Sequence, residues 1–342
     1  MISSTPMDDL VNDVIMFNKY GFRERIIMKK ISVVIPCYNE KNSIEEMYSR
    51  IKNVFQKIPQ YDYEIIFADD NSPDSTWSEI EKVCKKDNRV KAIHNATNFG
   101  PVRNIFQAIK FETGEVVFLL MGDLQEPPEN LPTFLKYWED GYEAVIGVHP
   151  NSDDTGLMAI FRKGYYKIIS SLSNNKIIPN FSYHGLYDKK IVDVMCQIDD
   201  MQPFFPGIVA EYASNIKIIE IPQEGSKREK SGQNFFKKYD QAMIGLTAYT
   251  KLLMRLATFF GLFIGIVAAA FSVYVLFMKL IFWKSYPLGT PTIIIGIFFL
   301  GAIQLFFLGI MGEYILSINE RSMRRPLTVV DKSFNFTQEE QK

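Results

Sequence analysis

Cysteine and histidine are scarce in this chain of 342 residues, with three of each. Cys37, Cys84 and Cys196 stand far apart, and His94, His149 and His184 form no HExxH-type cluster. This excludes a disulfide framework and a zinc site of the usual spacing, and it fits a reducing compartment. A charge of one sign is lacking too: 38 basic residues face 39 acidic ones, a formal net charge of −1. No global attraction to nucleic acid is expected from that balance. Two phosphate-binding glycine signatures are missing. No GxGxxG follows the first predicted strand and no GxxxxGK[ST] occurs, so neither a dinucleotide-binding domain nor a P-loop is expected. No secretory signal is expected either, because Asp8, Asp9 and Asp13 interrupt any apolar core near the start.

What is present is uneven. Hydrophobic residues make up 47% of the chain, and they concentrate in Thr258–Leu316. Before that stretch the pattern alternates between short apolar runs and helix-like periods. ISVVIP, YEIIFAD, VKAIHN, the run Val116–Leu120 and YEAVIGV predict strands. Asn42–Gln56, Trp77–Cys84, Pro101–Phe111 and Leu131–Trp138 predict the helices between them. Such alternation with short connections implies right-handed crossovers and a mostly parallel sheet. Beyond Gly147 the pattern loosens: Phe161–Leu172 predicts a helix, GLYDKKIVDVM a turn into another, and IKIIEIP a late strand. Residues 1–27 form an extension in which Leu10, Val11, Val14, Ile15 and Phe17 suit a short amphipathic helix. Met28 opens a domain that runs to about residue 230.

The run ending in Met121-Gly122-Asp123-Leu124-Gln125 stops a buried strand on a carboxylate, and Pro127 and Pro128 bar its continuation. Ligands in open α/β sheets bind beyond the carboxyl ends of the strands. A carboxylate followed by an amide oxygen there suits a hard divalent cation carrying phosphates. Read alone, Asp123 could equally cap a turn, DDNSPDST could be a polar turn with an N-cap, and His94 and His184 could be structural.

Residues 231–257 form a basic juxtamembrane segment, with Lys237 and Lys238 interleaved with Phe235, Phe236 and Tyr239. Thr258–Met278 and Thr292–Leu316 are each long enough to cross a bilayer, which takes about 20 apolar residues. Basic residues crowd the outer flanks (Lys251, Arg255, Arg321, Arg324, Arg325), whereas the link holds only Lys279 and Lys284. The positive-inside rule then places the large domain and the tail, 317–342, in the cytoplasm, with a multi-pass hairpin in the cytoplasmic membrane.

Four motifs stand in order: IPCYNE (Ile35–Glu40), ADDNSPDST (Ala68–Thr76), TNFG (Thr97–Gly100) and GDLQEPPE (Gly122–Glu129). With the apolar hairpin and the ending MGEYILSINERSMRRP, the set resembles the inverting glycosyltransferases of family 2, in particular the membrane-bound polyprenyl-phosphate subgroup. The resemblance implies a GT-A-type nucleotide-sugar-binding domain. It implies transfer of a sugar from a UDP- or GDP-linked donor to polyprenyl (undecaprenyl) phosphate. Pro36, Tyr38, Glu40, Asp69 and Asp70 match positions that contact the nucleotide. Asp123, the implied catalytic residue, and Gln125 match metal and diphosphate contacts, and Arg162 matches an acceptor-phosphate contact. The implied cofactor is Mg²⁺ or Mn²⁺, although Met121 stands where the signature has its first Asp, and a thioether is a poor ligand for such ions. Gly185 stands in a segment where the subgroup often carries Arg. The implied partners are the membrane, a flippase, a downstream glycosyltransferase and further copies of the chain. Transfer to another lipid, such as a glycerolipid, or a catalytically degenerate membrane scaffold are the competing readings.

Overall fold

The computed structural model describes residues 13–17, 23–148, 178, 181–198, 200, 203–221, 252–281, 290–323 and 325–337. They fall into two compact units. The first takes in residues 1–155, 178–232 and 325–342, and the second residues 156–177 and 233–324.

The first unit is built on an eight-stranded sheet. Its elements in chain order are β1 (Asp13–Phe17), β2 (Arg23–Ile27), β3 (Lys30–Cys37), α1 (Ile44–Lys57), β4 (Asp62–Asp69), α2 (Thr76–Lys86), β5 (Val90–Asn95), α3 (Pro101–Ile109), β6 (Val116–Leu119), α4 (Leu131–Glu139) and β7 (Ala144–Val148). Then come β8 (Phe181–Asp188), α5 (Lys189–Gln197), α6 (Phe205–Tyr212), β9 (Ile216–Glu220) and, after the second unit, β10 (Val330–Phe334). The strand order is β10-β5-β4-β3-β6-β8-β7-β9, and β1 pairs with β2 apart from it. Pairings β3–β4, β3–β6, β4–β5 and β7–β9 are parallel. Those of β10–β5, β6–β8 and β7–β8 are antiparallel. The expected α/β sheet with a parallel centre is therefore present.

The central strands are apolar along most of their length because both faces are covered. Ile31, Val33 and Ile35 of β3, Ile65 and Phe67 of β4 and Phe118 of β6 meet Ile44, Met47, Ile51 and Phe55 of α1 on one face. Val34, Ile66, Val117 and Leu119 meet Ile105, Phe106 and Ile109 of α3 on the other. Each such fully buried side chain is worth roughly 1.5–3 kcal/mol. This double layer makes the carboxyl ends of β3, β4, β5 and β6 a rigid rim.

Two expectations need correction. Residues 13–17 are not part of an amphipathic helix; they pair antiparallel with 23–27. GLYD is not a turn but the end of β8, whose residues pair with β6 on one side and β7 on the other. The helix begins only at Lys189, where Asp188 caps it by accepting the Lys190 N–H. Sheet pairing on both edges overrides the turn chemistry that Gly185 suggests. The segment after the second unit also contributes a strand: β10 borders β5, and Asn335 donates to the carbonyls of Cys84 and Val90 at 2.9 and 2.7 Å.

The second unit contains α7 (Leu252–Ile281) and α8 (Thr290–Ser322). Both expected helices form. Among the described residues one stretch, Phe299–Ser322, is long and apolar enough to cross a membrane. Phe259, Phe263, Val273 and Phe277 of α7 and Ile297, Leu305 and Phe306 of α8 are exposed. Lys237, Lys238 and Lys251 of the basic segment lie outside the described residues.

Candidate active site

The rim formed by the ends of β3, β4, β5 and β6 brings most of the predicted site residues together. Pairing sets their register: Pro36 lies opposite Ala68, Cys37 opposite Asp69, and Asp69 opposite His94. The Asp70 N–H donates to the Cys37 carbonyl at 3.0 Å, extending the register past the strand ends.

At the end of β3, Pro36 is buried, Tyr38 is half-buried, and Asn39 turns the chain with φ 60°. Glu40 is buried, and its N–H donates to Thr76 Oγ1 at 2.8 Å. Ser43 ties this turn to the next strand by donating to the Gly122 carbonyl at 2.7 Å. The approach is close at Gly122: a Cβ there would lie 3.1 Å from the Pro36 oxygen, 3.2 Å from Cys37 Sγ and 3.3 Å from Glu40 Cγ.

Asp69 and Asp70 point to opposite faces of β4, and the protein itself occupies both. Asp69 is fully buried; it accepts from both the hydroxyl and the N–H of Ser72 and lies 2.7 Å from His94 Nδ1. Ser72 in turn accepts the Asn39 N–H at 3.0 Å. Asp70 accepts from Asn95 Nδ2 at 2.9 Å and from the N–H groups of Phe99 and Gly100 at 3.0 and 2.8 Å. Burial raises the Asp70 pKa, against the lowering pull of those three donors.

After β6 the chain turns at Leu124, with φ 59°, and Asp123 accepts the Gln125 N–H at 3.2 Å. Asp123 and Gln125 are half-buried, while Leu124 and Glu126 alternate inward. Met121, in the first-Asp position, packs against the apolar cluster on the α3 face. Arg162 lies outside the described residues.

The field at this rim is negative. The thiol of Cys37 is pushed up by burial first, and then by Asp69, Glu40, Asp123 and Asp74. An anionic diphosphate would not settle among those carboxylates without a cation. Among the described residues no three His, Cys, Asp or Glu side chains converge into a self-sufficient metal site. The donors on hand, Asp123 and Gln125, are hard oxygens. They fit an ion that takes its remaining ligands from substrate phosphate and water, as Mg²⁺ commonly does.

Two residues of the rim were not singled out as functional by the motifs. His94 was legible only as a lone histidine. Asn95 was not legible, because its value lies in bridging Asp70 to Asn104, at 2.9 Å on each side.

Residues 32–195 match the model of glycosyl transferase family 2. The chain is a glycosyltransferase, and its residues 32–195 resemble that family. It is 28% identical over 305 residues to the SfII prophage-derived bactoprenol glucosyl transferase of Shigella flexneri, covering 89% of this chain and 98% of that one. It is 27% identical over 304 residues to the prophage bactoprenol glucosyl transferase homolog of Escherichia coli K12, covering 89% and 99%. The crystal structure of S. aureus TarS 1–349 with UDP-GlcNAc overlaps 64% of this chain and 66% of that one, at 20% identity and a TM-score of 0.46. That overlap is too loose to carry over any contact.

Proposed function

We propose that this glycosyltransferase moves a sugar, with inversion, from a UDP- or GDP-linked donor to polyprenyl phosphate at the cytoplasmic face of the membrane. The observation that carries the reading is the convergence of Glu40, Asp69 and Asp123 around Cys37 at the ends of adjacent parallel strands. The similarity to proteins named bactoprenol glucosyl transferase over nearly the whole chain supports the lipid acceptor.

The chemistry asks little of the protein beyond placement. A lipid phosphate is already ionised, so no strong general base is needed to make it a nucleophile, and orientation can supply much of the barrier reduction. Asp123 and Gln125 would hold Mg²⁺ or Mn²⁺, which when bound neutralises charge on the diphosphate leaving group. Gly122 lets the chain after β6 approach the β3 turn closely, and Asp123 lies near Cys37 together with Glu40. Arg162 is the proposed contact to the acceptor phosphate. The apolar faces of α7 and α8 are read as a two-span membrane hairpin that keeps the enzyme on the surface where its lipid resides. The GT-A-type domain is taken as 28–230, with the hairpin at 258–316.

The test uses purified full-length protein in detergent with a panel of labelled UDP- and GDP-sugars. Undecaprenyl phosphate and a diacylglycerol are offered as separate acceptors. Label in undecaprenyl phosphate alone is the expected result. Label in the diacylglycerol would move the acceptor class, and none in either lipid would overturn the reading.

A further inference from the structure

The loop that follows β6 carries Asp123 and Gln125, and its own backbone does little to hold it. Residues 121–127 lie in no strand or helix. Pro127 and Pro128 have no N–H to donate. Leu124 is buried at φ 59°, a conformation that a leucine keeps only where its surroundings fix it.

α1 fixes this loop from one face. Ser43, just ahead of its first turn, donates to the Gly122 carbonyl at 2.7 Å. Arg50 lies seven positions further on, about two turns and roughly 10 Å along the axis, on the same face. Its guanidinium donates through Nε to Glu129 Oε1 at 2.9 Å and through Nη2 to Glu129 Oε2 at 2.6 Å. Between Ser43 and Arg50 on that face is Met47, which shares a buried cluster with Leu124 and Leu131. The loop is therefore pinned at both ends by polar contacts and buried in the middle through Leu124.

As an ion pair, Arg50 and Glu129 add little to stability. Their side chains are 23% and 45% exposed, and Glu46 also approaches Arg50, at 3.9 Å; partly exposed pairs of this kind are screened by solvent. What the bidentate fork supplies is direction. Two bonds fix the plane of the Glu129 carboxylate and with it the 3₁₀ turn Pro128–Asn130 that closes the loop.

We propose that Arg50 is a positioning residue for the cation: by clamping Glu129 it fixes the far end of the loop, and so the placement of Asp123 and Gln125. The proposal rests on the reading of those two side chains as the protein ligands of a divalent ion.

The experiment titrates Mn²⁺ into the full-length protein in detergent with UDP or GDP present, followed by electron paramagnetic resonance. Wild type is compared with Arg50→Met, Glu129→Gln and the reversed pair Arg50→Glu/Glu129→Arg. Arg50→Met and Glu129→Gln should each need about tenfold more Mn²⁺ for half-saturation, the scale of losing an outer support of a metal ligand. The reversed pair should recover most of that loss. Hydrogen exchange should quicken at residues 121–130 of Arg50→Met and stay as in wild type along β3 and β4. The unfolding temperature should fall by no more than about 2–4 °C, because the pair is partly exposed. Unchanged Mn²⁺ binding by a folded Arg50→Met, or by Glu129→Gln should that variant not fold, would leave a surface ion pair only and overturn the proposal. Wild type that binds no Mn²⁺ with either nucleotide would instead remove the reading of Asp123 and Gln125 as ligands, and the proposal with it.

Discussion

Asp70 and Gly100, thirty positions apart, are joined by a 2.8 Å hydrogen bond from the Gly100 N–H to Asp70 Oδ2. The bond fastens the TNFG turn to the end of β4 at a residue whose φ of 90° suits glycine. Pro101 follows at the first turn of α3, where its missing N–H costs nothing. One carboxylate therefore sets where α3 begins.

Replacing Asp70 with Ala leaves Asn95, Phe99 and Gly100 without their shared acceptor. The expected loss of stability is about 1–3 kcal/mol, since Phe99 loses the Asp70 acceptor while Gly100 keeps Asn98 and Asn95 keeps Asn104. Thermal unfolding of the detergent-purified protein would read it, together with weakened UDP or GDP binding. A variant as stable as wild type would show that the turn does not depend on Asp70.

Glu64, at the other end of the sheet, makes a pH-dependent contribution. Burial acts to raise its pKa, but Lys30, Ser32, Lys91 and the Thr113 N–H outweigh it and bring the value to about 2 from an ordinary 4.5. Lys30 and Lys91 each approach it at 3.0 Å. Because the folded value is depressed, the stabilisation is complete above about pH 4.5 and is lost as pH falls towards 2. Its size is on the order of 3 kcal/mol. Glu64→Gln should be less stable at neutral pH and show a flatter acid-unfolding curve than wild type. Parallel curves would contradict this.

Met121 packs on the apolar α3 face, so restoring the missing acidic residue there should not rebuild a metal ligand. Met121→Asp is expected to cost about 1–3 kcal/mol of stability, through a carboxylate placed against apolar neighbours. The Mn²⁺ concentration for half-maximal transfer should stay within about twofold. A marked fall in that concentration would mean that the side chain turns towards Asp123.

Gly185 is held to hydrogen by its neighbours. A Cβ would lie 2.8 Å from both the Tyr187 hydroxyl and the Val145 carbonyl oxygen. Tyr187 is fully buried and donates to the Tyr183 carbonyl at 3.1 Å, so it cannot swing aside freely. Gly185→Ala should lose about 1–3 kcal/mol, and Gly185→Arg should not fold. Recovery of a folded, active Gly185→Arg protein would show that β8 can shift.

The parallel centre of the sheet was legible because strands covered on both faces must be largely apolar, as Ile31–Ile35 (Ser32 apart) and Val116–Leu120 are. The site's position was legible too, since Asp69, Asp70 and Asp123 each follow such a run. β8 was not, because Gly185 and Asp188 look like turn residues and only pairing on both sides makes the segment a strand. β10 depends on an edge of β5 far away in sequence, a contact that no local pattern records. The hydrogen-bond partners of Asp69 and Asp70 within the protein become known only through the fold.

The most direct measurement is transfer of labelled sugar to undecaprenyl phosphate by wild type and Asp123→Ala, each with Mg²⁺, with Mn²⁺ and with chelator. Wild type should form lipid product that chelator abolishes, and Asp123→Ala should lose at least about a hundredfold, the scale of removing one electrostatic stabiliser of the leaving group. Undiminished transfer by a folded Asp123→Ala protein would contradict the placement of the active site at the end of β6.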